Sequence, residues 1–316
     1  MNIATHLHER IAAGDIRIDV RKSRGWSPWH QHGLVDHDVT VVTPGDKEAF
    51  LWTVKRFREA HCHYALVGGG TSTNKPSTAD VQIETKCLDT LFIDDAAQEL
   101  VVGAGVTVDA AEAFVAEKGW TLGQWLGSGA TATIGGSIVT NAIGILAGRY
   151  GNLRDAATSI EIVDASGNAA WVSAREVFET AGPTILTVRF PLWLSPNGRA
   201  LARFTGVGSP FTAIRQIVTA RLQPAHLSVD QGGTVTVIAE GETHLETARY
   251  QLIAAILQKH GGQPEQLLDQ TAHWETMLSI NPWTQNSSGG YWADRIRVAA
   301  DWGSYLSVLD HWTHHA

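Results

Sequence analysis

Only two of the 316 residues are cysteines, Cys62 and Cys87. Two thiols make neither a disulfide framework nor a four-ligand zinc site, and they suit a reducing compartment. No stretch approaches the roughly 18 consecutive apolar residues of a membrane-spanning helix. The N-terminal MNIATHLHER lacks the apolar core of a secretory signal. The expectation is a cytoplasmic protein with no transmembrane segment. Positive charge is scarce too: 24 Lys and Arg stand against 32 Asp and Glu, for a net charge of −8. The basic clusters Arg21-Lys22-Arg24 and Lys55-Arg56-Arg58 are short and read as solvated faces, so no nucleic-acid partner is expected. Several catalytic signatures are missing. Gly68-Gly69-Gly70-Thr71-Ser72 is neither G-x-G-x-x-G nor G-x-x-x-x-G-K followed by Ser or Thr. Gly103-Ala104-Gly105 lacks a correctly spaced third glycine, and Gly127-Ser128-Gly129 is not a nucleophile elbow. His30, His32 and His37, like His61 and His63, have no acidic or cysteine companions that complete a ligand set, so no metal is expected.

What is present is a chain that can bury a real core, 44% hydrophobic and 18% charged. Asp38 to Thr43 alternate as a strand does. Pro44-Gly45-Asp46 turns, and Asp46 is placed to cap a helix carrying Ala49, Phe50, Val54 and Phe57. His63 to Val67 predict a second strand, and Val81–Glu84, Leu91–Ile93 and Glu99–Gly103 predict three more. A helix follows from Thr107 and stops at Gly119. Residues 127–152 have too little bulk for an ordinary core helix. A hairpin turning at Ala165-Ser166-Gly167-Asn168 comes next, then a strand-like run between Pro183 and Pro196. After Pro196 the composition shifts to an α+β layer, with strands at Ala202–Thr205 and Thr234–Ala239 and helices at Pro210–Arg221 and Glu242–His260. The tail carries Trp274, Trp283, Trp292, Trp302 and Trp312, which read as packing residues.

Two small-residue segments remain to be explained. The run Leu66-Val67-Gly68-Gly69-Gly70-Thr71-Ser72 ends a strand in glycines. Glycines reach positive φ and let backbone N–H groups approach a ligand, and consecutive N–H groups make an anion nest. On local grounds a structural turn fits as well. The second segment holds Thr133, Gly135, Gly136, Thr140 and Asn141. Two such segments suggest two walls closing on one long ligand.

Together these segments resemble the FAD-binding domain of the vanillyl-alcohol oxidase superfamily, the PCMH-type domain. LVGGGTS resembles its pyrophosphate loop and TIGGSIVTNAIG, Thr133 to Gly144, its second flavin segment. VVGAGVTVDAAEAFVAEKGWTLG, from Val101, and RYGNLRDAATSIEIVDASG, from Arg149, resemble the runs after each. The nearest branches are the glycolate and D-lactate oxidase-like proteins and the alkyl-dihydroxyacetone-phosphate synthases. The resemblance implies an α+β protein: an N-terminal arm over 1–37, a two-subdomain PCMH-type FAD-binding domain over 38–196, and a partial cap of antiparallel sheet plus helices over 197–316.

For the site, the resemblance implies that Leu66, Val67, Gly68, Gly69, Gly70, Thr71 and Ser72 hold the pyrophosphate. Gly127, Ser128 and Thr133 would line the flavin, with Gly135 and Gly136 allowing close approach. Thr140, Asn141, Ala142 and Ile143 would lie along the cofactor, Ile162 near the adenine, and Tyr150 and Gly151 near the ring or supporting its loop. Some members bind FAD covalently through a histidine where this chain has Thr71, so non-covalent FAD is expected. The family's Gly-Ser-Glu-Gly-Thr-Leu-Gly wall is replaced by Glu179 to Val188, where Thr184 and Thr187 are candidates. By the same resemblance the chain stops inside the cap, and His311, His314 and His315 form a solvated tail. The implied activity is FAD-dependent oxidation of a small-molecule substrate, a 2-hydroxy acid, with Arg295 and Arg297 as candidate carboxylate binders and no catalytic base named. The alternative is an FAD-binding subunit or incomplete homologue that needs a partner chain. A partner subunit or a homodimer would then use the tryptophan-rich tail.

Overall fold

The computed structural model describes residues 3–24, 36–71, 79, 81–177, 183–230 and 232–265. The chain divides into two compact units, Met1–Arg199 with Glu240–Thr243, and Ala200–Ala239 with His244–Ala316.

The first unit is built on two main sheets. Inside the expected N-terminal arm lie a helix, α1 (Ile3–Ala13), and a strand, β1 (Ile16–Arg24). β1 pairs antiparallel along its whole length with β2 (Asp36–Pro44). Ile16 and Val20 share one face, yet Ile16 is buried and Val20 is 69% exposed, so the strand leaves the core along its length and its pattern is faint in sequence. After β2, Asp46 accepts a hydrogen bond from the Ala49 N–H at 2.8 Å and starts α2 (Lys47–Glu59), as its position predicts. Next come β3 (Tyr64–Val67) and β4 (Val81–Glu84), giving a sheet in the order β1-β2-β4-β3. β4 lies parallel to both β2 and β3. A parallel pair needs a crossover, and α2 supplies the one between β2 and β3.

The second sheet is antiparallel, in the order β5-β6-β10-β8-β9. Its strands are β5 (Leu91–Asp94), β6 (Glu99–Gly103), β8 (Ser159–Val163), β9 (Ala169–Ser173) and β10 (Ile185–Pro191). Between β6 and β8 run α3 (Val108–Ala116), β7 (Trp120–Thr121), α4 (Ile134–Val139), α5 (Ala147–Tyr150) and α6 (Leu153–Ala156). α7 (Ala174–Val177) follows β9, and β11 (Trp193–Leu194) pairs with β7. α3 takes Thr107 as its cap, and the chain leaves it through Gly119 at φ +78. The expectation that residues 127–152 hold no ordinary core helix needs adjusting. The six-residue α4 does enter the core, because Ile134 and Ile138 supply the bulk and the glycines let it sit close.

One core serves both sheets: Val42, Phe50 and Ile83 join Leu100, Ile160, Val188 and Phe190. Truncating a fully buried phenylalanine such as Phe50 to alanine costs about 3–5 kcal/mol. Polar ties reinforce the seam. Lys47 Nζ lies 2.8 and 2.6 Å from the two oxygens of buried Glu161, which also accepts from Thr187 Oγ1 at 2.6 Å. Arg58 donates to the Asp164 carbonyl at 2.6 Å and to Thr184 Oγ1 at 3.2 Å.

The second unit takes most of β12 (Gly198–Thr205), then α8 (Pro210–Thr219), β13 (His226–Val229), most of β14 (Val235–Gly241), α9 (Thr243–Lys259) and β15 (Gln263–Glu265). The sheet runs β13-β14-β12-β15. Phe204, Ala213, Ile217, Val235, Val237, Ile253 and Leu257 form its own core. β13 and β15 went unpredicted for a physical reason: β13 is only half-buried throughout, and β15 is an exposed Gln-Pro-Glu with no apolar side chain.

Candidate functional site

The strand β3 delivers the chain to Gly68, and the loop Gly68–Thr71 follows at the surface of the sheet. Among the described residues, none of the four consecutive N–H groups from Gly68 to Thr71 has a hydrogen-bond acceptor. Gly70 sits at φ +66, and a Cβ added there would meet no heavy atom within 4 Å. Among the described residues the loop therefore presents unpaired donors with open space beside Gly70, the chemistry of an oxyanion cradle.

The second small-residue segment lies directly against this loop. A Cβ on Gly68 would lie 2.1 Å from Thr133 Oγ1, and one on Gly69 would lie 1.8 Å from the Thr131 carbonyl oxygen. The two stretches that the sequence paired as opposing walls are thus in contact, and only glycine fits between them. Thr133 caps α4, accepting from the Gly136 N–H at 3.3 Å. Gly135 is a packing glycine: its Cβ would lie 2.8 Å from the Ala104 Cβ. The N–H groups of Gly127 and Ser128, both exposed, also lack an acceptor among the described residues.

At the far end of α4, Thr140 donates its hydroxyl to the Gly136 carbonyl at 2.8 Å. Asn141 takes φ +51, and the Ala142 N–H closes the turn on the Ser137 carbonyl at 2.8 Å. Val139 and Ile143 flank this turn and stand 44% and 48% exposed. Donors at one end of α4 and an open apolar surface at the other fit a ligand with a diphosphate and a flat apolar group.

Other expected residues are placed differently. Ser72, Arg295, Arg297, His311, His314, His315 and the tail tryptophans lie outside the described residues. Leu66, Val67 and Ile162 are half-buried strand residues. Tyr150 is buried and donates its hydroxyl to Glu240 Oε1 at 2.8 Å. Its ring covers Gly123 and meets Trp193 edge-on at 5.9 Å between centroids. Burial, and then the Glu240 charge, raise the Tyr150 pKa, so the phenol stays neutral. Gly151, at φ +74, accepts at its carbonyl from Gln124 Nε2 at 3.2 Å. The Thr184 and Thr187 hydroxyls are engaged by Arg58 and Glu161 inside the core.

Sequence reasoning missed several residues here. Asn152 and Arg154 brace the Asn141 turn, as set out below. Glu112, on α3, accepts from the Thr121 hydroxyl and from the Leu122 N–H at 3.0 Å, holding the chain that leads into Gly127. Beside it is a cleft of about 370 Å³ lined by Glu112, Trp120, Trp125, Asn197 and Arg199, among others. The guanidinium of Arg199 lies over Trp125 and pairs with buried Glu240. No sequence signal linked positions so far apart.

Known proteins bear on this geometry. Residues 40–173 match the family described as FAD binding domain. A D-lactate dehydrogenase of Archaeoglobus fulgidus is 29% identical over 152 residues, covering 47% of this chain and 34% of that enzyme. The mitochondrial D-2-hydroxyglutarate dehydrogenase of Bos taurus is 33% identical over 103 residues, covering 32% of this chain and 18% of that one. The chain thus matches about a third or less of these curated relatives' length. Among solved structures, an alkyldihydroxyacetonephosphate synthase superimposes with a TM-score of 0.78 at 15% identity, covering 98% of this chain and 73% of that one. At that identity the likeness shows the fold alone. The class expected from the sequence is borne out: residues 40–173 match an FAD binding domain, and the α+β fold is shared with that solved structure.

Proposed function

We propose that the chain is an FAD-dependent oxidoreductase that takes a hydride from a small 2-hydroxy acid. The observation that carries the reading is the open run of N–H donors from Gly68 to Thr71, set against Thr131 and Thr133. In this reading the N–H groups of Gly68, Gly69, Gly70 and Thr71, with Ser72, hold the pyrophosphate. Gly127 and Ser128 donate to the far wall, and Thr133, Gly135 and Gly136 set the spacing between walls. The turn Thr140–Ile143 lies along the cofactor, with Ile143 and Val139 against its flat face, Ile162 toward the adenine, and Tyr150 and Gly151 supporting the wall. Bound FAD would supply the two-electron acceptor, and the protein supplies position and exclusion of water. The attachment is non-covalent, because Thr71 has no ring nitrogen with which to form the link.

The substrate class rests on the names of the two relatives, a D-lactate and a D-2-hydroxyglutarate dehydrogenase. Residues 197–316 act as the cap, and the enzyme works in the cytoplasm. The coarser finding is that no helix among the described residues is long and apolar enough to cross a membrane. A second reading has its own support, because the family match ends at residue 173. In it the chain is an FAD-binding subunit whose substrate site is completed by a partner chain or a second copy.

The visible spectrum of purified protein, before and after acid precipitation, tests the reading. Yellow protein that releases free FAD is the expected result. Anaerobic bleaching by D-lactate or D-2-hydroxyglutarate supports the enzyme, and a yellow protein that no hydroxy acid bleaches supports the subunit. Protein that neither carries nor takes up FAD overturns both.

A further inference from the structure

Below α4 sits a pair of side chains that neither the family resemblance nor the comparisons single out. Asn152 Nδ2 donates to Asn141 Oδ1 at 2.8 Å, while Asn152 Oδ1 accepts from the Asp155 N–H at 2.9 Å and caps α6. Two residues on, Arg154 Nε donates to the Ile138 carbonyl at 3.1 Å, and its Nη2 to the Val139 carbonyl at 2.8 Å. Both side chains therefore reach back to the same place, the C-terminal turn of α4. The Ile138 carbonyl there also accepts from the Asn141 N–H at 3.1 Å, so Arg154 adds a second, charged donor to the turn at the negative end of α4. The turn also needs holding, because Asn141 occupies left-handed space at φ +51, which costs about 1–2 kcal/mol for a non-glycine residue. Directly beside it Val139 and Ile143 stand open.

We infer that Asn152 and Arg154 are positioning residues that lock the Asn141 turn in the shape the cofactor requires. The inference rests on the FAD reading above and deepens it, with both side chains acting through the end of α4. Each contact has a separate job. Asn152 fixes the left-handed residue from the side, and Arg154 fixes the two carbonyls that precede it. Without them, α4 frays by one turn, and Val139 and Ile143 no longer present one surface.

The test uses the full chain, stripped of flavin and titrated with FAD by fluorescence quenching. Asn152→Asp is the informative variant. It keeps the acceptor that caps α6 and turns the donor to Asn141 into a charged acceptor. Because a flipped Asn141 amide can donate to that carboxylate, Asn152→Ser is run beside it. Serine also caps α6 but is too short to reach Asn141, and this variant is expected to lose the same affinity. The expected result is FAD affinity lowered about five- to tenfold, the loss of one buried-side hydrogen bond in binding terms. Arg154→Lys, which cannot reach both carbonyls with one geometry, lowers it by a similar factor. A merely structural role would shift only the unfolding temperature of the apoprotein. The positioning role adds two further signs. Amide exchange at Asn141 and Ala142 speeds up in the flavin-free Asn152→Asp protein. In an Asn141→Gly background, Asn152→Asp has no further effect on affinity, because its acceptor is gone. Wild-type protein that binds FAD alongside Asn152→Asp and Asn152→Ser proteins that bind equally well overturns the clamp and leaves the FAD reading standing. Faster exchange with unchanged affinity overturns it too. Wild-type protein that binds no FAD sinks the FAD reading and the clamp together.

Discussion

Two loops leave strands of two different sheets in glycine, and they are not alike. Gly68–Thr71 follows β3, and Gly103–Gly105 follows β6. In sequence both are small, both end an apolar strand, and both are fragments of a nucleotide-binding signature. In the fold, the second loop has every N–H engaged: Gly103 donates to Thr90 O at 2.7 Å, Ala104 to Leu186 O at 2.9 Å and Gly105 to Leu88 O at 2.9 Å. Its glycines exist for packing, since a Cβ on Gly103 would lie 2.1 Å from Leu88 O and one on Gly105 2.0 Å from Thr85 O. The first loop has no such partners among the described residues. Glycine content therefore does not distinguish a ligand loop from a packing loop. The distinction lies in where the N–H groups go, and the backbone must satisfy each one or leave it to solvent or ligand.

Substituting one residue in each loop tests that contrast hardest. Gly105→Ala places a methyl group on backbone that cannot move, so we expect the fold to lose about 2–4 kcal/mol. Thermal unfolding should show it, while the fraction that remains folded still binds FAD. Gly69→Ala also meets backbone, but at the surface, where the loop can swing away from Thr131. Its expected effect is on the site: FAD affinity down about a hundredfold with the unfolding temperature little changed. If Gly69→Ala unfolds the protein and Gly105→Ala only weakens FAD, the two loops have been assigned the wrong way round.

Gly70→Ala makes a finer cut. No atom opposes the added methyl, so only the positive φ resists it, at about 1 kcal/mol. The loop then drifts toward other conformations, and FAD affinity should fall about fivefold. An unchanged affinity would mean that the Gly70 conformation is not the one that meets the ligand.

The contrast also marks what can be read from sequence. The Asp46 and Thr107 caps and the Gly119 stop were legible, because each depends on residues within one turn. The two walls of the candidate site were legible as glycine-rich strand and helix ends. Which glycines pack against backbone and which leave their N–H groups open was not, because that depends on Thr85, Leu88 and Thr131, distant in the chain. Tyr150 shows the same limit. It was expected near the flavin or beneath its loop, and the partner that holds its hydroxyl, Glu240, lies 90 residues away. Asn152 and Arg154 carried no sequence signal at all, since a polar pair beside a turn is unremarkable until its acceptors on α4 are known. Thr184 and Thr187 were candidates for the wall by resemblance, and long-range partners, Arg58 and Glu161, engage both hydroxyls.

The smallest expected effect concerns the buried loop's own continuation. Gly105 leads through Thr107 into α3, where Glu112 holds Thr121 and Leu122. Burial raises the Glu112 pKa above its ordinary value, against the lowering effect of those hydrogen bonds. The folded protein therefore holds this proton more tightly than the unfolded chain does. Where the two forms differ in bound protons, stability falls as pH rises, from the ordinary carboxylate value up through the raised one, and then levels off. Glu112→Gln has no proton to lose. Its amide can still accept from the Leu122 N–H and donate to the Thr121 hydroxyl, which rotates to accept. The unfolding temperature of Glu112→Gln should match wild type near the acidic end of that window and exceed it at neutral pH. Parallel profiles across the window would show that the hydrogen bonds offset the desolvation fully, and that this wall of the site carries no buried charge to relieve.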